Sequence, residues 1–389
     1  MNKIKQNKGF LLFSGYNLRA IIAFCRELTN YDIPFFIIAA DINDLIYSSA
    51  YSSKVFIYRK SKRLIWEEIN SIIKYLLQES GIEHLVIAPT SEFLNQFLLE
   101  NRANFEKINC SVPLVPMELY QLITNKYSFS ELCVENGIKI PVKYKPLEEL
   151  RFPCVAKPQK NIGNEHKTLY PYLIYTEKEY RRFLEKEKPD EYYFEEYIEG
   201  DSYYLLMYLS QNGGTIKYSQ KNILQQADGK SIVLALPAEI HLDSKFEIFE
   251  TMLRKHAFYG IIMIEVRLNN NNVVVIEANP RLWGPSQLFV DNSIGIFPQF
   301  INDTIGIDND IIREQKKTFS KKNYLWFNGI VEMLLKRKQV IKLCAKTTWL
   351  PFLAIANLGN DVYLRSDTIY VFFKELFGLI KKELIHGKG

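Results

Sequence analysis

Two apolar runs, GIIMIEVRL (260–268) and VVVIEANPRLWG (273–284), stand on either side of four asparagines. Aliphatic and β-branched residues in runs of this length form strands, and asparagine tolerates the left-handed backbone of a tight turn. The pair reads as an antiparallel hairpin. Its second strand places Glu277, Asn279 and Arg281 at every second position, which is one face of a strand, and leaves Val274, Ile276 and Ala278 to pack inward. Glu265 puts another acid on the first strand.

Register decides whether the acids meet. Glu265 lies opposite Glu277 if the turn centres on Asn271, which calls for an odd loop such as Asn270–Asn272. An even loop would send the two carboxylates to opposite faces, because one residue of slip inverts every side chain. With the odd loop, Glu265, Glu277 and Asn279 supply three hard oxygen donors beside Arg281. Such a set suits Mg²⁺, which keeps positions open for phosphate oxygens. The plain alternative is a pair of solvated glutamates with Arg281 in a salt bridge. The apolar neighbours Ile276 and Ala278 and the rigid NPR stop weigh against it.

A magnesium site for phosphates calls for lysines elsewhere. Lys157 sits inside the apolar strand FPCVAKP, where an unpaired ammonium is costly, so it needs an anionic partner: a phosphate, or a nearby acid in an ion pair. Lys126, in NKYSF, is a weaker candidate, since an exposed lysine needs no explanation. In YFEEYIEGDSYYLL (193–206) a strand leads through Glu195 and Glu196 to Tyr197 and Ile198 and then to a Glu-Gly-Asp turn. Extended backbone there can offer N–H and C=O groups to an adenine edge, with a glutamate to accept from the exocyclic amine. NIGN (161–164) reads as a turn or as a loop over phosphates.

Before residue 110 the pattern alternates strand and helix: GFLLFSG, NLRAIIAFCRELTN, IPFFIIAAD, KVFIY, LIWEEINSIIKYLLQES, HLVIAP. Alternation of this kind predicts a parallel sheet with ligands beyond its carboxyl edge, where SGYN (14–17) and PTSE (89–92) fall. MELYQLITNKYSFSELCVENGIKIP is a helical connector, and the chain is strand-rich from 151 to 280. The five scattered cysteines form no CxxC pair, which predicts a reducing, cytoplasmic setting without disulfides or zinc. The lysine-rich, apolar N-terminus imitates a secretory leader but is broken by Ser14, Gly15, Asn17 and Arg19. No stretch approaches the roughly 18 apolar residues of a membrane span.

Taken in order, these segments resemble the ATP-grasp superfamily over about residues 10–300, nearest to the carboxylate–amine ligases related to D-alanine–D-alanine ligase and L-amino-acid ligases. EANPRLWGPSQ is the most specific of them. The resemblance implies an α/β and α+β architecture: an N-terminal parallel βα domain (1–115), an ATP-grasp domain (116–330) with a lid subdomain at about 150–200, and a helical extension (331–389). It implies ATP with Mg²⁺, or Mn²⁺ in its place. Lys126 and Lys157 would hold phosphates; Glu195, Glu196 and the backbone of Tyr197 and Ile198 would hold adenine; Glu265, Glu277 and Asn279 would hold metal. Arg281, with Lys157, would serve catalysis by stabilising an acyl phosphate and the tetrahedral intermediate. The acid that contacts ribose in relatives aligns with Ser202, leaving Asp201 as a shifted substitute. The reduced loop NIGNEHK and the segment QQADGKS (225–231) depart from the family pattern.

The implied reaction joins a small-molecule carboxylate to an amine and releases ADP and phosphate. A cell-envelope or polysaccharide precursor is one candidate substrate. Alternatives are bicarbonate activation of the carbamoyl-phosphate-synthase or biotin-carboxylase kind, a non-catalytic nucleotide-binding regulator, and a sugar-nucleotide glycosyltransferase, which predicts no paired acids after residue 260. The net charge of +5 lies wholly in 331–389, with ten Lys/Arg against five acids. A basic tail rather than a basic folded face argues against a nucleic-acid partner. SDTIYVFFKELFGLIKKELIHGKG reads as a helix using Ile369, Phe372, Phe373, Leu376, Leu379 and Ile380 to dock on the body, or else to lie on anionic lipid, with LKRKQVIKLCAK (335–346) in support. Oligomeric state is not legible.

Overall fold

The computed structural model describes residues 7–61, 63–145, 149–159, 169–226, 231–269, 272–306, 321–336, 341–342 and 350–386. The NIGN loop, Asn270 and Asn271, residues 227–230 and most of 335–346 lie outside them.

The strands β1 (Lys8–Phe13), β2 (Phe35–Ala39), β3 (Val55–Tyr58), β4 (His84–Ile87) and β5 (Cys110–Ser111) form a parallel sheet in the order β3-β2-β1-β4-β5. The expected strand–turn–helix at the N-terminus is present, with the helix Leu18–Asn30 following β1. Gly81, in the left-handed region, ends the helix Trp66–Ser80 as its sequence predicts. The connector forms the helices Met117–Thr124 and Lys126–Glu135; the Asn125 side chain caps the second by accepting from Tyr127 and Ser128.

β6 (Cys154–Pro158), β7 (Tyr172–Ile174) and β8 (Tyr192–Glu196) make a small antiparallel sheet backed by the helix Glu177–Lys186, with its own aromatic core around Phe183, Tyr192 and Phe194. The large antiparallel sheet holds β9 (Asp201–Leu209), β10 (Thr215–Gln225), β11 (Ile232–Ala238), β12 (Gly260–Asn269), β13 (Asn272–Asn279) and β14 (Tyr324–Leu325), with β15 (Ile341–Lys342) paired to β10. Both of its faces are covered. On β9, Tyr204, Leu206 and Tyr208 join the core shared with β1 and the helix Leu18–Asn30, while Leu205, Met207 and Leu209 join a second core with the helix Trp66–Ser80. Burial on both sides is why these strands read as continuous apolar runs.

The C-terminal segment packs on this body. The buried Arg26 donates to Asp367 at 2.8 and 2.9 Å, to Thr368 at 2.8 Å and to Gln287 at 2.6 Å. Arg365 makes a bidentate pair with Asp291 at 2.8 and 2.7 Å. Helix Ile369–His386 buries Val371 and Phe372, with Leu376 against the core. Of the expected flank, Phe372 is buried, Leu376 packs on the core and Ile369 and Leu379 are half-buried, whereas Phe373 and Ile380 face out. Among the described residues no helix is long and apolar enough to cross a membrane.

Candidate active site

β12 and β13 do bring Glu265 opposite Glu277, but not by the expected route. Near the tip Asn269 pairs with Asn272 and Val266 with Val275, the register of an even, two-residue connection. The pairing then slips by one, so that Glu265 meets Glu277 and Met263 meets Asn279. Ile276 is the extra residue of a β-bulge, with two residues of β13 opposing one of β12. The condition of an odd loop is therefore corrected: a one-residue offset is required, and the strand rather than the turn supplies it. The inward residues change accordingly. Val275 and Ala278 are buried, whereas Val274 and Ile276 are half-buried, and Ile276 lines the site. Since the tip does not align the acids, replacing Asn270-Asn271 by Asn-Gly, a favoured two-residue turn, is expected to leave turnover within about twofold and stability unchanged or slightly raised. Thermal unfolding and turnover of that variant check it.

The glutamates are held in different states. Asn279 Nδ2 donates to Glu277 at 2.7 Å, and Lys126 Nζ lies 3.6 Å from its other oxygen. Burial raises the Glu277 carboxyl, but Lys126, Lys157, Asn279 and Arg281 outweigh it and hold Glu277 below the usual carboxylate range. Glu265 accepts from the Ser202 hydroxyl at 3.3 Å, and burial pushes its carboxyl up to about 7 against the pull of Arg267. At neutral pH Glu277 thus stays charged while Glu265 is about half protonated, as expected where a buried carboxyl faces a charged one. Arg281 donates to the Asn279 side-chain oxygen and to the Leu282 carbonyl, both at 3.4 Å.

Above the pair lies the small sheet β7-β6-β8. Cys154 and Ala156 of β6 point into its core, so Val155 and Lys157 point the other way, into the site. Lys157 is buried, forms an ion pair with Glu195 and donates to the carbonyl of the bulged Ile276 at 3.3 Å. Of the two partners open to this lysine, the structure therefore shows the acid. Glu195 is itself buried and committed to Lys157 rather than presented to an adenine edge; Glu196 is exposed. The two strands β8 and β9 are joined through Gly200, at φ 121°, where a Cβ would lie 2.2 Å from the Leu268 carbonyl oxygen, so only glycine fits this turn.

Lys126, Val155, Lys157, Glu195, Glu196, Tyr197, Ile198, Glu265, Ile276 and Glu277 converge on one cavity of about 110 Å³. Ser202 reaches it only through Glu265. Asp201 does not: it alternates to the opposite face of β9 and pairs with Lys221 at 2.5 Å, so the shifted ribose contact is not supported. Arg267 and Gln225 also line the cavity and escaped the sequence reading. Arg267 was within reach, being two residues past Glu265 on the same strand face; Gln225 opens the segment QQADGKS, noted for its departure from the family pattern, but nothing singled out this residue. At the carboxyl edge of the parallel sheet, Asn17 donates to the Leu282 carbonyl at 3.3 Å and Leu282 N–H donates to Pro89 at 2.9 Å. Both expected loops thus reach the segment that carries Arg281.

Among the described residues no three His, Cys, Asp or Glu side chains cluster as metal ligands. Two carboxylates and one amide are nonetheless a fitting set for an ion that completes its shell with phosphate and water.

A parallel βα unit, a three-stranded antiparallel sheet and a large antiparallel sheet with paired acids at its edge constitute the ATP-grasp fold. No family model and no curated protein matches the chain. Solved structures do. An ADP complex of N5-carboxyaminoimidazole ribonucleotide synthetase is 14% identical, with 85% of each chain covered and a TM-score of 0.59. The Staphylococcus aureus N5-carboxyaminoimidazole synthetase with ADP is 16% identical over 79% of this chain and 80% of that one, at 0.57. The biotin carboxylase domain of Hydrogenobacter thermophilus 2-oxoglutarate carboxylase, crystallised with MgADP, ADP and bicarbonate, is 14% identical over 77% and 70%, also at 0.57.

Proposed function

We propose that this chain is an ATP-dependent ligase that activates a carboxylate as an acyl phosphate, joins it to an amine, and releases ADP and phosphate. The observation that carries the reading is the Glu265–Glu277 pair, which lines one cavity with Lys126 and Lys157, with Asn279 bonded to Glu277 and Arg281 to Asn279 beside it. Phosphoryl transfer needs charge neutralisation and positioning more than a protein nucleophile, and these groups provide them. Lys126 and Lys157 exchange their carboxylate partners for phosphate oxygens, and Arg281 faces the negative charge that develops on the activated acid. Tyr197 and Ile198 hold the base through their backbone. Glu265, Glu277 and Asn279 would hold Mg²⁺, which when bound would supply positive charge to the phosphates. At about 110 Å³ the cavity is smaller than the roughly 300 Å³ of ordinary ligand sites, so nucleotide entry displaces the lid sheet.

The likeness of EANPRLWGPSQ to carboxylate–amine ligases, relatives of D-alanine–D-alanine ligase, supports an amino acid or similar acid as substrate. A second reading takes bicarbonate as the carboxylate; the fold likeness to a carboxylase domain crystallised with MgADP and bicarbonate favours it. Release of ADP and phosphate from ATP, measured with a panel of amino acids, uronic acids and bicarbonate, tests both. ADP with phosphate supports acyl-phosphate chemistry, the stimulating acid separates the two readings, and AMP with pyrophosphate rejects both.

The charge state of Glu265 adds a pH dependence. A metal ligand must be deprotonated, and Glu265 carries a proton below about pH 7. Mg²⁺ affinity of the nucleotide complex is therefore expected to rise roughly tenfold from about pH 6 to about pH 8 and then level off. Calorimetric Mg²⁺ titrations in buffers of different ionisation enthalpy would show the released proton; an affinity flat across this range would exclude Glu265 as a ligand.

A further inference from the structure

Helix Ile369–His386 is docked by one side only. Facing away from the body, Tyr370, Phe373, Phe377, Ile380 and Leu384 recur at spacings of three and four residues, which makes one continuous stripe along the helix. Tyr370 is 76% exposed, Phe377 64% and Leu384 66%, and the rings of Phe373 and Phe377 stack at 6.2 Å. Lys374, Lys381 and Lys382 are also exposed on this helix.

Three acids of the same segment are turned the other way, while Glu383, on the helix itself, is half-buried. Asp361 is fully buried and accepts from the backbone N–H groups of Phe327 and Tyr363. Asp367 is taken by Arg26, and Glu375 accepts from Trp326 at 3.1 Å and Asn328 at 2.8 Å. Folding therefore sorts the charges of this segment: three acids face the body, while lysines flank an exposed apolar stripe.

We propose that this stripe docks the protein on an anionic lipid surface, with the helix lying in the plane of the headgroups. Apolar and aromatic residues flanked by lysines fit the boundary between acyl chains and negative headgroups. A second copy fits less well, since a two-fold contact through the stripe would set Lys374 and Lys381 against the same lysines of its partner. The docking is peripheral, as no described helix is long and apolar enough to span.

Co-sedimentation of the full chain with phosphatidylcholine vesicles, with and without phosphatidylserine, tests the proposal. The protein is expected to pellet with the anionic vesicles only and to be released by salt. Lys374→Gln with Lys381→Gln should weaken binding about 30-fold, the effect of removing two cations from an anionic surface. Phe377→Gln with Leu384→Gln should abolish it while leaving the thermal unfolding midpoint unchanged. Failure to pellet with anionic vesicles would overturn the proposal. So would equal pelleting with neutral ones, or a wild-type dimer that the Phe377→Gln and Leu384→Gln pair renders monomeric.

Discussion

Glu277→Gln should lower turnover by about 100- to 1,000-fold while leaving the fold intact, the scale found when one charge-stabilising group is removed from a transition state. The substitution is nearly isosteric, and its effect on folding is small for a stated reason. Losing the Glu277 charge leaves Lys157 its partner Glu195 and leaves Lys126 partly exposed, so no lysine is buried alone. It also removes a like charge from Glu265. Nucleotide binding should survive, because the phosphate lysines lose a competitor rather than a support. Steady-state ADP release beside an unfolding curve separates the effects, and full turnover with normal stability would remove Glu277 from the machinery.

The second large effect is on folding. Arg26→Ala should cost about 3–5 kcal/mol, the range for breaking a buried ion pair. Arg26 holds the helix Leu18–Asn30 to Gln287, just past the site strand, and to Asp367 and Thr368, just before the terminal helix. Tyr51 donates to the same Asp367 at 2.9 Å. Removing the guanidinium leaves the Asp367 carboxylate without its main partner. Burial raises that carboxyl, but Arg26 and Tyr51 outweigh it and hold it below the usual range. A carboxyl depressed in the folded state stabilises above its unfolded value and loses that contribution as pH falls. The Arg26→Ala penalty should therefore shrink in acid. Urea unfolding with an unchanged slope and a lower midpoint is the expected record, and a loss under 1 kcal/mol would show that the terminal helix is held by its other contacts without Arg26.

Much of the fold was readable because periodicity survives folding. The alternation before residue 110 became a parallel sheet, and the apolar runs after 200 became strands buried on both faces. Part of the site was also readable, since Glu277, Asn279 and Lys157 are polar where apolar neighbours make polarity costly; Lys126 became a candidate only through the resemblance. What escaped depends on partners distant in sequence. Nothing near Lys157 reveals that Glu195 answers its charge, because β6 and β8 meet only when the small sheet forms. The terminal helix is apolar on more than one side, so its sequence did not say which flank would be covered. Asp201 and Ser202, adjacent in sequence, pointed equally well to the ribose until strand alternation sent them to opposite faces.

The bulge at Ile276 divides β13 into two phases. On the tip side the side chains keep the step of the turn; on the other side they are shifted by half a repeat, and all the chemical groups lie there. A change of composition at the tip stays within its own phase and does not rotate the acids. The carbonyl of the residue at the phase boundary, Ile276, is the one that Lys157 reaches from β6. The joint between the two phases thus also ties the large sheet to the small one, and under the proposed function a nucleotide that draws Lys157 to its phosphates gives up that tie.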